Sequence, residues 1–287
     1  MKQKLIDQLS IFLLKKQFTI RVLTRTCFDL VARKGSQILL IKVLEDANSI
    51  SEEFAGNMEK ISNYFAASPL IIAEKAGSLL EDNIVYSRFG IYTLNFNTFR
   101  NCIENKMPFV KRTRAGLTAN LIGDKLREIR EQEGLSLNSL ARKIGVSSSM
   151  VTKYEKGISE VTMNRALKIY DIFGGQVFSK IDIFSEKREA FRDGRGIFAK
   201  KYQDLGFEAT RMRKVPFDVI AKKEKEIILT EIKDKSNPQS QSLARLIDAD
   251  NLVIFKKKKP KDIPSMTKDE FLDYEEAKEL IKFVKEF

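Results

Sequence analysis

The stretch from Leu121 to Phe173 constrains this chain more than any other, because its glycines, hydroxyl caps and apolar positions fall into a single register. Leu126 and Ile129 recur at helical spacing until Gly134 breaks the pattern. Ser136 stands where it caps a second short helix carrying Leu140, Ala141 and Ile144. Gly145 and Val146 make a tight turn, and Ser147 caps a third helix whose buried face is Met150 or Val151 with Tyr154. Gly157 ends that helix. A fourth, about Val161 to Phe173, shows Ala166, Leu167, Ile169 and Tyr170 before the Gly174-Gly175 pair.

Residues 135–157, LSLNSLARKIGVSSSMVTKYEKG, resemble the Cro/C1 (lambda-repressor-like) helix-turn-helix family in the turn glycine, both caps, the apolar positions and the Tyr-Glu-Lys-Gly ending. The resemblance implies that the third helix enters the major groove of double-stranded DNA with its first residues at base edges. Ser148, Ser149, Thr152 and Lys153 match the base-facing positions. Lys153 suits guanine and the hydroxyls serve several bases, so one copy discriminates modestly and a homodimer on a palindrome is expected. Arg142, Lys143 and Lys156 are placed for phosphates. Leu137 stands where many members carry a phosphate-gripping Gln, so one backbone contact is expected to be missing. A small helical domain that binds protein, or an inert remnant, is the alternative reading of the same stretch.

With 287 residues, 43% of them hydrophobic, the chain has room for two or three domains with real cores. The formal net charge is +12, divided +3, +5 and +4 over residues 1–110, 111–184 and 185–287, so it is densest on the shortest segment. That agrees with nucleic-acid binding. Two cysteines, Cys27 and Cys102, and no histidine exclude a Cys/His zinc site and a disulfide framework, and point to the cytoplasm. No apolar run reaches membrane-spanning length, and the start, MKQKLIDQLSIFLLKKQF, reads as an amphipathic helix rather than a signal peptide. No metal and no cofactor are expected; a small-molecule effector is left open.

The first block, 1–110, reads as α/β. A helix over Leu5–Lys16 precedes strands at Thr19–Leu23, Phe28–Arg33 and Gln37–Val43, a helix capped by Ser51, and a buried strand at Pro69–Ala73. Two short strands and a short helix from Thr98 follow. Residues 107–120 hold Lys111, Arg112 and Arg114 and form a basic approach to the helix-turn-helix. Arg112 and Arg114 are candidates for DNA phosphates; a linker or an edge strand is the other reading.

The last block repeats the first. PFDVIAKK at 216–223 aligns with CFDLVARK at 27–34, IILTEIK then aligns with ILLIKVL without a gap, and NLVIFKK at 251–257 echoes PLIIAEK at 69–75. In the second copy Asp218, Glu231 and Lys233 form P-x-D…E-x-K, with Glu231 and Lys233 on one face of a strand. Such carboxylates hold Mg²⁺ by hard oxygen ligands. Gly206, Phe207, Arg211, Asp218, Glu231 and Lys233 resemble the layout of archaeal Holliday-junction resolvases, members of the restriction-endonuclease-like fold. Those enzymes bring a further carboxylate from the first helix. Here that position is Arg195 in the second copy and Ile6 in the first, with Asp7 one residue out of register. The first copy keeps Asp29 but has Lys42 where the strand acid belongs. The remnant set Asp7, Asp29, Asp218, Glu231 and Lys233 is therefore expected not to cut, and a surface salt bridge between Glu231 and Lys233 is expected. Lys256–Lys259 read as a solvated loop or a DNA contact, and Thr267–Phe287 as one amphipathic helix.

The expected architecture is a multidomain chain, α/β plus all-α: an α/β segment at 1–110, the lambda-repressor-like helix-turn-helix at 111–184, and a related restriction-endonuclease-like α/β segment at 185–287. The whole plan resembles a group of archaeal Cro/C1-type transcriptional regulators. A non-enzymatic, sequence-specific regulator is the first reading; a Mg²⁺-dependent nuclease and an antitoxin-like or scaffold protein are the alternatives.

Overall fold

A computed structural model describes residues 2–114, 116–185 and 196–286. Arg195, the first-helix position of the second copy, lies outside the described residues. Along the chain the first segment contributes α1 (Lys2–Lys15), β1 (Thr19–Val22), β2 (Leu30–Lys34), β3 (Gln37–Asp46), α2 (Glu52–Phe65) and β4 (Ser68–Ala76). Next come β5 (Ser78–Leu79), β6 (Ile84–Arg88), β7 (Ile91–Leu94), α3 (Phe96–Ile103), β8 (Val110–Thr113) and β9 (Gly116–Ala119). The helical stretch is α4 (Gly123–Gln132), α5 (Leu137–Ile144), α6 (Ser148–Glu155), β10 (Val161–Thr162) and α7 (Met163–Phe173). The last segment holds α8 (Ile197–Asp204), β11 (Glu208–Arg211), β12 (Val219–Lys223), β13 (Glu226–Ile232), α9 (Pro238–Ile247), β14 (Asp250–Phe255), β15 (Ser265–Thr267), α10 (Lys268–Asp273) and α11 (Ala277–Lys285). Packing groups these into two compact units, Met1–Ile71 with Phe184–Phe287, and Ile72–Ile183.

The first unit is built from two lobes with one plan: helix, antiparallel three-stranded meander, helix, further strand. The repeat holds atom for atom in the meander. Thr19 pairs with Arg33 as Glu208 pairs with Lys222. The amide of Asp29 donates to Ile41 O as that of Asp218 does to Thr230 O, and Leu23 N donates to Asp29 O as Met212 N does to Asp218 O. Strands β3 and β13 are buried over Ile38–Val43 and Ile227–Glu231, the near-continuous burial of central strands. Helix α2 begins at Ser51, whose hydroxyl accepts from Phe54 N, with Glu52 and Glu53 in its first turn. Helix α9 begins at Asn237 with Pro238 in its first turn.

The two lobes grip each other reciprocally. Arg33 on β2 donates to Leu246 O near the end of α9 at 2.9 Å and pairs with Asp248 at 2.5 Å. Lys222, its counterpart on β12, donates to Tyr64 O near the end of α2 at 3.0 Å. Each cation thus meets the carbonyl end of the other lobe's helix, where a positive charge is favoured. The second lobe adds β15, parallel to β14, giving the order β11-β12-β13-β14-β15. The expected single C-terminal helix is two helices, broken at 274–276. Asp273, Glu275, Glu276 and Glu279 would stack like charges at helical spacing in one continuous helix. Phe271, Ala277, Leu280 and Val284 pack in that lobe's core beside Tyr202, Phe207 and Leu252.

In the second unit β6 and β8 run parallel, β8 and β9 form a hairpin, and β9 pairs with β10. Residues 107–120 are therefore neither a linker nor an edge strand, since β8 and β9 are each paired on both sides. Leu126, Leu140, Ala141, Ile144, Val151, Tyr154, Ala166, Ile169 and Phe173 close one core over the four helices. Of the two expected anchors of α6, Val151 is buried and Met150 partly so. On α7 the buried phase is Ala166, Ile169 and Phe173, while Leu167 and Tyr170 are each half exposed.

Candidate nucleic-acid interface

Helix α5 starts where Ser136 Oγ accepts from Ser139 N at 3.1 Å, and α6 where Ser147 Oγ accepts from Met150 N at 3.2 Å. Between them Gly145 takes a left-handed φ of 73°, a backbone that favours glycine. Burial of Val151 and Tyr154 then turns the other side of α6 outward. Ser149 and Lys153 are exposed on it, and Ser148 and Thr152 are partly buried. Thr152 Oγ1 donates to Ser148 O at 3.1 Å, so its hydroxyl offers a partner only its lone pairs. Arg142 and Lys143, in the last turn of α5, and Lys156, which caps the end of α6, are exposed.

Three residues outside the sequence-derived set hold α6 in place. The guanidinium of Arg130 on α4, buried although charged, binds both oxygens of Glu155 at 2.5 and 3.2 Å and donates to Leu135 O at 2.8 Å. The hydrogen bonds to Glu155 raise the Arg130 pKa above its usual value against the cost of burial. Gly123 lies so close to the end of α6 that a Cβ there would stand 2.2 Å from Glu155 O. Arg130 carries a readable signal, because it sits one turn from Leu126 on the apolar face of α4, and Glu155 belongs to the Tyr-Glu-Lys-Gly ending; Gly123 carries none. Beside this lock is a cleft of about 380 Å³ lined by Asp124, Arg127, Thr152 and Lys156.

Arg112 on β8 and Arg114 at the hairpin tip are exposed. The hairpin is tied to the segment after α6: Lys111 pairs with Glu160 at 2.5 Å and Thr118 Oγ1 donates to Glu160 at 2.8 Å. Helix α6, this hairpin and the end of α5 thus stand on one unit.

In the first lobe of the other unit, Asp29 is ringed by donors. Lys2 Nζ lies 2.8 Å from Oδ1, Lys42 Nζ 3.4 Å from Oδ2, and Val43 N donates to Oδ2 at 2.9 Å. Burial lowers the Lys42 pKa, partly opposed by Asp29. Asp7 is exposed and accepts from Gln3 at 2.8 Å, while its neighbour Ile6 is buried. In the second lobe Asp218 Oδ2 accepts from Ile232 N at 2.7 Å, which repeats the Asp29–Val43 bond. Glu231 and Lys233 do pair, at 2.7 Å, but not as a surface salt bridge, for Glu231 is fully buried at the end of the central strand. Its other oxygen accepts from Ser236 Oγ, and Asn237 N donates to the oxygen that Lys233 holds. Burial raises the Glu231 pKa, and Lys233 with the two donors pulls it back.

The first lobe does not fit the divalent cation of a nuclease, because Lys42 fills a ligand position; in the second, Glu231 is held by Lys233, Ser236 and Asn237. Among the described residues no cluster of three or more His, Cys, Asp or Glu is arranged to hold a metal, and no helix is long and apolar enough to cross a membrane.

Comparison with known proteins matches residues 2–108 to the PD-(D/E)XK superfamily domain and residues 126–176 to a helix-turn-helix family. A relative in Methanocaldococcus jannaschii, named "Putative HTH-type transcriptional regulatory protein", is 31% identical over 99% of this chain and 97% of its own. Relatives bearing the same description occur in Archaeoglobus fulgidus, 31% identical over 98% of this chain and 97% of its own, and in Thermococcus kodakarensis, 31% identical over 90% and 87%.

Proposed function

The chain belongs to the family of archaeal HTH-type transcriptional regulatory proteins, and from that premise we propose that it binds double-stranded DNA through α6 and regulates transcription in the cytoplasm as a non-cutting homodimer. The observation that carries this reading is the setting of α6: a capped helix with Ser148, Ser149, Thr152 and Lys153 at its start and exposed side, locked from behind by Arg130 and Gly123. In the complex those four side chains meet base edges, and Arg142, Lys143, Lys156, Arg112 and Arg114 meet phosphates. One α6 reads only a short half-site with few specific donors, so two chains on a palindrome supply the affinity and discrimination that one lacks.

We read the chain order as 1–110, 111–184 and 185–287, with the outer segments as two copies of one restriction-endonuclease-like fold. The matching hydrogen bonds of Asp29 and Asp218 support the second copy. Absence of cleavage is supported by the position of Lys42, which stands where the first lobe would need a carboxylate.

Selection of bound duplexes from a random pool at stated salt, followed by footprinting on the best site, tests the reading. The expected result is a palindrome with two protected half-sites about one helical turn apart, intact after incubation with Mg²⁺ or Mn²⁺. A pool that yields no enriched sequence contradicts the regulator, a single half-site bound by one chain contradicts the homodimer, and metal-dependent products lost on Glu231→Ala contradict the absence of cleavage.

A further inference from the structure

The β6–β7 hairpin ends in an aromatic residue that its turn does not favour. Arg88 pairs with Ile91, so the loop between them is Phe89-Gly90. Phe89 has φ 48° and Gly90 φ 82°, the two positive values of a type I′ turn. Asn, Asp or Gly takes the first of those places at little cost, whereas a bulky aromatic is strained there. Burial does not offset the strain, because Phe89 is 50% exposed. A strained, exposed aromatic points to what its ring meets outside the fold.

The neighbouring hairpin brings charge to the same place. Strands β6 and β8 run parallel, with Ile84 beside Val110 and Val85 beside Lys111. Three residues further along the two strands come Arg88 and Arg114, so the two tips lie side by side at one end of the sheet. Arg112 and Arg114 are exposed and Arg88 partly so. No Asp or Glu occurs in 84–94 or 106–119. Lys111 pairs with Glu160, which follows the last residue of α6, Glu155, by five positions, and both tips stand on the unit that carries α6. From Lys111 to the tip is about 10 Å of strand, short beside the roughly 34 Å of one turn of DNA.

We propose that Phe89 is a wedge that enters the minor groove of duplex DNA beside the major groove that α6 occupies, with Arg88, Arg112 and Arg114 along the rims of that groove. An apolar side chain pushed between base steps unstacks them and kinks the duplex, and a narrow minor groove draws in arginine by its negative potential. Charge selects the partner. An apolar groove on a protein would take Phe89 but not three arginines beside it, and a surface without carboxylates suits a polyanion. Asn would serve the turn better than Phe, so the ring is there for contact and not for the hairpin. The inference rests on the reading of the chain as a binder of duplex DNA, and not on α6 reading bases.

The test uses the full chain and one duplex of fixed sequence with donor and acceptor fluorophores at its ends. Affinity over a salt series and end-to-end distance are read, with melting temperature as the control for folding. The wild type is expected to draw the ends together, as a kink of about 20° or more does. Phe89→Asn is expected to bind about tenfold more weakly, to leave the duplex straighter, and to keep the salt slope, because no phosphate contact is lost. Its melting temperature is expected to be unchanged or higher, since Asn suits the left-handed place in the turn. Phe89→Trp is expected to keep affinity and kink. Arg112→Ala with Arg114→Ala is expected to lower the slope of log K against log salt by about 1.8, two contacts at about 0.9 each. Phe89→Asn with wild-type affinity and distance overturns the wedge and leaves the α6 reading untouched. Loss of affinity and kink in Phe89→Asn, beside Lys153→Ala with Lys156→Ala that changes nothing on any sequence, keeps the wedge and defeats the α6 reading. A wild type that binds but leaves the duplex straight overturns the proposal, as does a lowered melting temperature in Phe89→Asn or a Phe89→Trp as weak as Phe89→Asn. Competition by single-stranded DNA or by phosphatidylserine vesicles as strong as that by duplex overturns it too.

Discussion

Arg130 holds α6 from its buried side, through Glu155 and the carbonyl of Leu135. Its guanidinium and the Glu155 carboxylate are both nearly out of water, each the other's principal partner. Removing one charge strands the other. Arg130→Ala is therefore expected to cost about 3–5 kcal/mol in urea unfolding, and Arg130→Met with Glu155→Leu clearly less than either single change. A double variant no better than Arg130→Ala would show that the pair is not coupled. Glu231 offers the second test at this scale. Its folded pKa lies above the unfolded one, so the unfolded state releases the proton first. Its contribution to stability is full at low pH and is lost as pH rises from about 4.3 through the raised value, then levels off. The stability of the wild type minus that of Glu231→Gln should fall over that window; a difference that rises with pH would mean that Lys233 outweighs burial.

At the scale of elements, Gly123 shows why a helix start was harder to foresee than a helix. Replacing it by alanine puts a methyl group into the carbonyl end of α6, and Gly123→Ala is expected to cost about 1–3 kcal/mol and to weaken DNA binding by displacing that helix. Unchanged unfolding and binding would contradict the close contact. Nothing near Gly123 in sequence announces it, because the atom it avoids is more than thirty residues away. What was legible was local. Ser136, Ser147 and Gly145 fix caps and a turn through their own neighbours, and Ser51 does the same in the other unit. The phase of α7 was only half legible: Leu167 and Tyr170 are as apolar as Ile169, and packing against α5 chooses among them. Strand β15 is three residues long and exists because β14 offers it a parallel edge. The burial of Glu231 was hidden for a like reason, since E-x-K gives the face of the strand and not what covers it.

At the scale of the molecule, the internal repeat was the most informative long-range signal, since two copies of one meander predict equivalent hydrogen bonds and the structure has them at Asp29 and Asp218. It did not say that the copies would pack on each other, which depends on Arg33 and Lys222 finding the opposite helix ends. The central claim is that α6 reads bases while its end holds phosphate, and binding by two single variants to the selected site and to random duplex, each over a salt series, tests it most directly. Lys153→Ala should change the preferred base within a half-site and cost about 1–3 kcal/mol there, with little effect on random DNA. Lys156→Ala should weaken both DNAs alike and reduce the salt slope by about 1. If both variants act equally on selected and random DNA, α6 does not read the sequence.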